Sequence, residues 1–182
     1  MDICHFAKVD KENIRAIFTE DGKHRSCLEI PFLDRNGEKT LCIIGQNPSH
    51  ANEIIADKTV NYLERYVYEN LPQYSKIIVL NLYSIIDTNK YQIDDLVREE
   101  CENTFDEIIN ENSDFLVIYG KLTNNGSFNF VERAKSLKSK LGGKAIYKID
   151  IKSSYAPHPG NPKIYYGNYC YDIIEYAFED IF

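Results

Sequence analysis

Leu41-Cys42-Ile43-Ile44-Gly45-Gln46-Asn47-Pro48-Ser49-His50-Ala51-Asn52 is the stretch that decides the fold. Leu41 to Ile44 is a short, wholly apolar run, the pattern of a strand buried on both faces of a parallel sheet. Gly45 interrupts it. Pro48 cannot donate to a ladder, and it biases Asn47 toward an extended backbone. The strand therefore ends here and delivers Gln46, Asn47, Ser49 and His50 to its carboxyl end. In open α/β sheets ligands bind at that edge.

Working outward, Ile77 to Tyr83 reads as a second buried strand, with Asn81 the one polar amide in an apolar run. Phe115 to Gly120 reads as a third, again ending in glycine, and Ala145 to Ile149 as a short fourth parallel strand. Between these lie helical segments. In Asp57 to Leu71, the residues Val60, Leu63, Val67 and Leu71 form one apolar stripe, and Pro72 stops the helix. Tyr62, Tyr66 and Tyr68 are expected on its other sides. Ile93 to Asn110 reads as an acidic helix with Leu96, Cys101, Phe105, Ile108 and Ile109 inward. Phe128 to Leu141 reads as a basic one, stopped by Gly142-Gly143.

Upstream, Ser26 to Leu33 looks like a strand interrupted at Pro31. The turn Asp34-Arg35-Asn36-Gly37 is expected to join it to the Leu41 strand as a hairpin. Residues 1–25 suggest an N-terminal arm or a short helix around Ile14, Ile17 and Phe18. Tyr165 to Phe182 reads as a closing helix with Ile173, Ile174, Ala177 and Ile181 inward. Strands alternating with helices imply one α/β domain over residues 1–182, three layers (αβα) around a mostly parallel central sheet.

Composition narrows the function classes. Charged residues at 27% and hydrophobic ones at 43% are those of a water-soluble globular chain, with no apolar run near the ~18 residues of a membrane span. With no signal-peptide pattern at the N-terminus, a cytoplasmic location is expected, with no membrane partner. Five cysteines, odd in number and without C-x-x-C, read as reduced thiols. The four histidines give no zinc spacing, so no structural metal and no cofactor are expected. The net charge of −7 hides an asymmetry. Asp87 to Asp114 holds ten acidic and two basic residues, whereas Arg133 to Lys163 holds eight basic and one acidic. The basic run reads either as a solvated helical face or as a surface for phosphates.

The residues that could carry chemistry are Gly45-Gln46-Asn47-Pro48-Ser49-His50, Asn81, Gly120, and His158-Pro159-Gly160-Asn161. Taken singly, each has a plainer role. An asparagine after a strand is commonly a turn former, and a histidine beside proline commonly lies on the surface.

Their order and spacing resemble two families. The closer is an uncharacterised family marked by an N-P-S-x-A-[DN] box, an acidic-x-Thr element opening the next helix, an N-L strand end, a strand ending in aromatic-Gly, and a late H-P. Here these are Asn47 to Asn52, Asp57-Lys58-Thr59, Asn81-Leu82, Tyr119-Gly120 and His158-Pro159, covering roughly Cys27 to Lys163. More distantly, the chain resembles the uracil-DNA glycosylase superfamily, whose members carry G-Q-D-P-Y-H or G-I-N-P-G after the first core strand, L-L-N at another strand end, and a late H-P-S-P-L. Gly45-Gln46-Asn47-Pro48-Ser49-His50, Leu80-Asn81 and His158-Pro159-Gly160-Asn161-Pro162 stand in those places.

This second resemblance implies a uracil-DNA-glycosylase-like fold and a nucleobase N-glycosylase acting on DNA. Asn47 and His158 would be catalytic, Asn47 holding the attacking water and His158 bonding the departing base. Asn81 would read the base edge, and Gly45, Gln46, Pro48, Ser49, His50, Gly120, Pro159, Gly160 and Asn161 would complete the pocket. Ser49 replaces a bulky tyrosine that excludes larger bases, which points to a larger or modified base. No aromatic stands where the family's base-stacking phenylalanine would be. Tyr62, Tyr66 and Tyr83 are candidates by chemistry, and Tyr83 is placed with the base-binding set.

The chemistry suits these residue types. Cleaving an N-glycosidic bond leaves positive charge on the sugar and negative charge on the base, and each fixed donor aimed at the latter is typically worth ~3 kcal/mol. A side-chain amide offers both a donor and an acceptor to a base edge. The partners expected are DNA or a nucleotide or nucleobase ligand, with a catalytically inactive binding module and a hydrolase of free nucleosides or nucleotides as the alternatives.

Overall fold

A computed structural model describes residues 3–86 and 95–178. In chain order the elements are β1 (Ile3–Cys4), a 3-10 turn (Lys11–Asn13), β2 (Arg15–Phe18), β3 (Arg25–Pro31), β4 (Thr40–Gly45), β5 (Ile55–Ala56) and α1 (Lys58–Asn70). There follow β6 (Lys76–Asn81), α2 (Glu99–Glu111), β7 (Asp114–Val117), α3 (Phe130–Lys140), β8 (Ala145–Ile149), α4 (Pro162–Tyr165) and β9 (Ile173–Glu175). Seven strands form one sheet in the order β2-β3-β6-β4-β7-β8-β9, while β1 and β5 pair apart from it.

The sheet is mixed rather than mostly parallel. The central strands β6, β4, β7 and β8 run parallel, while β2 with β3, β3 with β6, and β8 with β9 are antiparallel. The central four strands are those the apolar runs predicted. The antiparallel flanks come from segments with weaker patterns.

Each flank corrects an expectation. Ile17 and Phe18 lie in strand β2, not in a helix, because Arg15 to Phe18 adds an outer strand to β3. β3 and β4 do not form a hairpin, because β6 lies between them and bonds to both. The residue with positive φ in that connection is Asp34 (58°), not the Asn36-Gly37 pair. Arg35 instead crosses to the end of α1 and donates to the carbonyls of Leu71 (3.1 Å) and Tyr74 (2.7 Å). It thereby satisfies acceptors that a helix leaves open at its C-terminus.

At the far end the expected helix over Tyr165 to Phe182 is a single turn, α4, followed by β9. Ile173 and Ile174 pair with Ile149 and Lys148, so alternation puts Ile174 outward at 40% exposure. Ala177 is exposed as well, and Ile181 lies outside the described residues. The start of the acidic helix at Ile93 also lies outside them, and Asp95 to Arg98 is not helical.

Two apolar clusters cover the two faces of the sheet. On one, Val60, Leu63, Tyr66 and Val67 of α1 pack on Leu41, Ile43, Ile77, Val79, Leu116 and Ile118. On the other, Phe105, Ile108 and Ile109 of α2 and Phe130, Ala134 and Leu137 of α3 pack on Cys42, Ile44, Ile78, Leu80, Phe115 and Val117. Alternate residues of each strand serve opposite clusters, as the period of two requires. Tyr62 and Tyr66 belong to the α1 core rather than its outer sides. They stack at 5.8 Å, and the Tyr66 hydroxyl donates to Tyr171 O at 2.6 Å. All five cysteines are free thiols, and burial pushes the Cys27 thiol up to about 11 and the Cys42 thiol to about 12.

The charge asymmetry resolves on the α2/α3 face. Arg133 of α3 grips Glu102 of α2 with both terminal nitrogens (2.6 and 3.0 Å) and donates from Nε to Leu82 O. Lys140 pairs with Asp106, and Lys135 with Glu132 of its own helix. Lys144 donates to Asn110 and Asn112 carbonyls, and Lys148 is buried against those of Ser153 and Ser154. Two ion pairs, Arg133 with Glu102 and Lys140 with Asp106, thus join the basic run to the acidic one, while Lys135, Lys144 and Lys148 hold other protein acceptors. Among the described residues no helix is long and apolar enough to cross a membrane.

Candidate functional site

Because β4, β6 and β7 run parallel, their carboxyl ends meet at one edge. There Gly45 pairs in register with Asn81, and Ile118 donates from its backbone to Ile44 O. The loop after β8 returns to this edge, where the Gly120 N–H donates to Ala156 O. These segments, with the start of α1, enclose a cleft of about 520 Å³. Its lining holds Gly45, Gln46, Asn47, Pro48, Ser49, Asn81, Gly120 and His158, together with Asp57 and Thr59. Sites 111 residues apart in sequence thus converge. Val60, Val79 and Ile118 form its apolar wall, so the cleft opens on the α1 face, opposite the α2–α3 pair.

Two glycines permit this closeness. A Cβ at Gly45 would fall 2.9 Å from Asn81 Nδ2, so only glycine lets the amide lie over β4. Gly120 has φ +76°, a left-handed backbone that favours glycine, and His158 stands against it.

Within the cleft the polar groups divide into tethered and untethered. The Gln46 Nε2 donates to Tyr119 O at 2.6 Å, tying the β4 end to the β7 end. Ser49 Oγ accepts from Ala51 N, a local turn contact. Asp57 caps α1 by accepting from Val60 N at 2.6 Å. Asn47 differs: its Oδ1 and Nδ2 are both shut off from solvent and have no hydrogen-bond partner among the described residues. An amide buried without a bond loses solvation without return, commonly ~1–3 kcal/mol. Asn47 lines the cleft, and a turn of its side chain would bring the amide to a ligand atom or a water.

His158 is held in one tautomer. Its Nδ1 accepts from the Gly160 N–H at 2.9 Å, so in the neutral ring the proton sits on Nε2. Nε2 lies 3.4 Å from Thr59 Oγ1 at the mouth of α1. A Cβ at Gly160 would approach Nδ1 to 3.0 Å, so this glycine also fits the ring.

Not every expected residue arrives. His50 is exposed and outside the lining. Tyr83 is on the wrong face: it packs edge-on against Phe128 and Phe130 in the α2/α3 core, and its hydroxyl accepts from Asn129 N. The chain leaves the sheet at Asn81, and Leu82 and Tyr83 bend back to bond Gly45 O and Gln46 O. Pro159 and Gly160 line a neighbouring hollow of about 330 Å³ with Lys58, Tyr62 and Tyr165. Asn161 caps α4, accepting from Lys163 N.

Arg25 is the residue that sequence reading missed. It opens β3, is 2% exposed, and lines the cleft floor. Nη1 donates to Ala51 O (2.9 Å) in the polar loop, and Nη2 to Asn81 Oδ1 (3.3 Å). That bond fixes which end of the Asn81 amide is oxygen and leaves Nδ2 over Gly45. Burial lowers the Arg25 guanidinium to about 10, with Asp57 partly opposing it, so it stays charged at neutral pH. The available signal was one cation opening a strand that also carries Ser26 and Glu29, too common a pattern to single out. Lys121, also unforeseen, stands exposed at the rim.

The polar loop is braced from outside by His5, whose Nε2 is 2.8 Å from Asn52 O and whose Nδ1 is 2.5 Å from Glu64 of α1. Both side chains are dry, at 1% and 0% exposure. Burial alone would lower the His5 pKa, but the Glu64 hydrogen bond and charge outweigh it and hold it above its ordinary value.

Residues 32–160 match the family described as Protein of unknown function (DUF1643). The match spans the polar loop, Asn81, Gly120 and His158, and the chain belongs to that family. No curated protein and no solved structure matches the chain. Arg25 lies just before the matched region, although its contacts lie inside it.

Proposed function

We propose that the cleft is the active site of a hydrolase of nucleobase–sugar bonds on a uracil-DNA-glycosylase-like scaffold. The observation that carries this reading is the Asn47 amide, buried and unpartnered in a cleft that also holds Asn81 and His158. In the reaction the C1′–N bond breaks with its electron pair passing to the base. A water oxygen held by Asn47 bonds to C1′, and the water's proton ends on the released base. The His158 Nε2–H is a donor for the charge that develops on the base, a role a neutral imidazole can fill. Asparagine orients water without deprotonating it, so slow turnover is expected.

DNA is the substrate that the glycosylase resemblance implies. One observation favours a free nucleoside or nucleotide instead: five of the eight late basic side chains hold protein acceptors, leaving less charge for phosphates than the sequence suggested. Incubation with natural and modified DNA, nucleosides and nucleotides, with released bases followed by mass spectrometry, tests the activity. Release by the wild type but not by Asn47→Ala or His158→Ala is the expected result. Binding without release across that panel replaces the enzyme with an inactive binding module. Affinity that falls steeply from low to moderate salt marks DNA, and a flat response marks a free nucleoside.

A further inference from the structure

The cleft contains a buried cation that touches no carboxylate among the described residues; Asp57 acts on it only through space. Among the described residues two of the five guanidinium donors of Arg25 are engaged, both by neutral oxygens, and Nε has no partner. The guanidinium forms no ion pair among the described residues. Asp57, the one carboxylate lining the cleft, already caps α1 with Oδ1, where the helix N-terminus partly offsets its charge. Lys121 adds a second cation at the rim. A chain of net charge −7 thus keeps an excess of positive charge in this cleft, where low dielectric strengthens it.

Buried charges are normally paired, because taking an unpaired ion out of water costs several kcal/mol. A structural clamp for Ala51 O and Asn81 Oδ1 needs no charge, since an amide donates to carbonyls as well. The Asn47 amide independently leaves the same cleft polar and unsatisfied. We propose that Arg25 is the cleft's anchor for negative charge, and that the ligand meets it with an anionic group.

Under the proposed function, on which the choice of sources rests, that group is either a purine or pyrimidine base carrying negative charge or a nucleotide phosphate. Anion contact with a guanidinium is short, strong and well matched to either. Arg25 also sets the donor face of Asn81, so ligand charge and base reading are coupled through one bond.

Calorimetric titration of the whole chain separates the cases with three probes. Inorganic phosphate represents the phosphate source, xanthine above its ionisation represents the anionic base, and adenine is the neutral control. The expected result is that phosphate or xanthine binds at least tenfold tighter than adenine. Arg25→Gln should weaken that probe on the order of 10- to 100-fold, with partial rescue by Arg25→Lys. Should Arg25→Gln not fold, the wild type decides: xanthine or phosphate affinity must rise as the probe gains charge with pH. Equal binding of adenine and the anions, no binding of either anion, or undiminished anion binding by Arg25→Gln overturns the inference. Adenine bound as well as the anions by both proteins breaks the anion anchor but leaves a base-binding cleft standing. Phosphate bound with neither purine keeps the anchor and removes the base reading.

Discussion

The two faces of the sheet treat charge in opposite ways. On the α2/α3 face, cations meet anions or carbonyls: Arg133 with Glu102, Lys140 with Asp106, Lys144 with Asn112 O. On the α1 face, the cleft keeps Arg25 without an ion pair and the Asn47 amide without a hydrogen bond among the described residues. The first arrangement is what folding alone produces, since neutralised surface charges cost little and stabilise little. The second costs folding energy, and persists where a ligand completes it. Local charge density in the sequence marks the α2/α3 face, where five of the basic side chains hold protein acceptors. The density of unsatisfied polar groups points to the cleft.

Substitutions on the two faces test this difference in the treatment of charge. The largest effect on stability is expected at the dry pair beneath the cleft loop. His5→Ala leaves Glu64 buried without its cation and should cost about 3–5 kcal/mol in chemical denaturation. The sign with pH follows from the raised His5 pKa. The folded state binds the proton more tightly than the unfolded one, so the pair's contribution is complete below the unfolded value of ~6.5. It is lost as pH rises through the folded value, and His5→Ala should flatten that decline.

Asn47→Ala comes next, with the effect on turnover rather than stability. Base release should fall by roughly 10²- to 10³-fold, the usual consequence of removing a positioned polar group. Because the amide forms no hydrogen bond among the described residues and its burial costs folding energy, the denaturation midpoint should hold or rise. A large loss of stability would instead make Asn47 a structural residue. Gly45→Ala drives a methyl into Asn81 Nδ2 and should weaken ligand binding on the order of 10- to 100-fold by displacing the amide.

Smaller effects belong to the opposite face. Arg133→Ala should lower stability by about 1 kcal/mol, its pair with Glu102 being three-quarters buried on both sides. It should leave binding of any nucleic acid or nucleotide unchanged; a drop in DNA affinity would return the basic helix to the role its sequence suggested. Lys135→Ala, whose pair with Glu132 is exposed, should change stability by no more than a few tenths of a kcal/mol.

The four parallel strands were legible because burial on both faces writes continuous apolar runs, as in Leu41 to Ile44 and Phe115 to Ile118. So were the ends of those strands, where Gly45, Asn47, Asn81 and Gly120 break the runs and where His158 follows a proline. The tyrosines were misread, since Tyr62 and Tyr66 lie off the aliphatic stripe of α1 yet stack within its core. Tyr83 was misread for another reason: two residues past a strand end, period-two alternation no longer fixes the face.

The sequence by itself thus determined which strands are central and which polar residues sit at their carboxyl ends, because those are local consequences of burial. Three things follow only from tertiary pairing: that β6 enters between β3 and β4, that Arg133 and Lys140 of α3 pair with Glu102 and Asp106 of α2, and that Arg25 bonds Asn81. Each depends on pairing between segments distant in the chain. A charge reads alike in sequence whether a partner 31 residues away neutralises it, as with Arg133, or no ion pair forms among the described residues, as with Arg25.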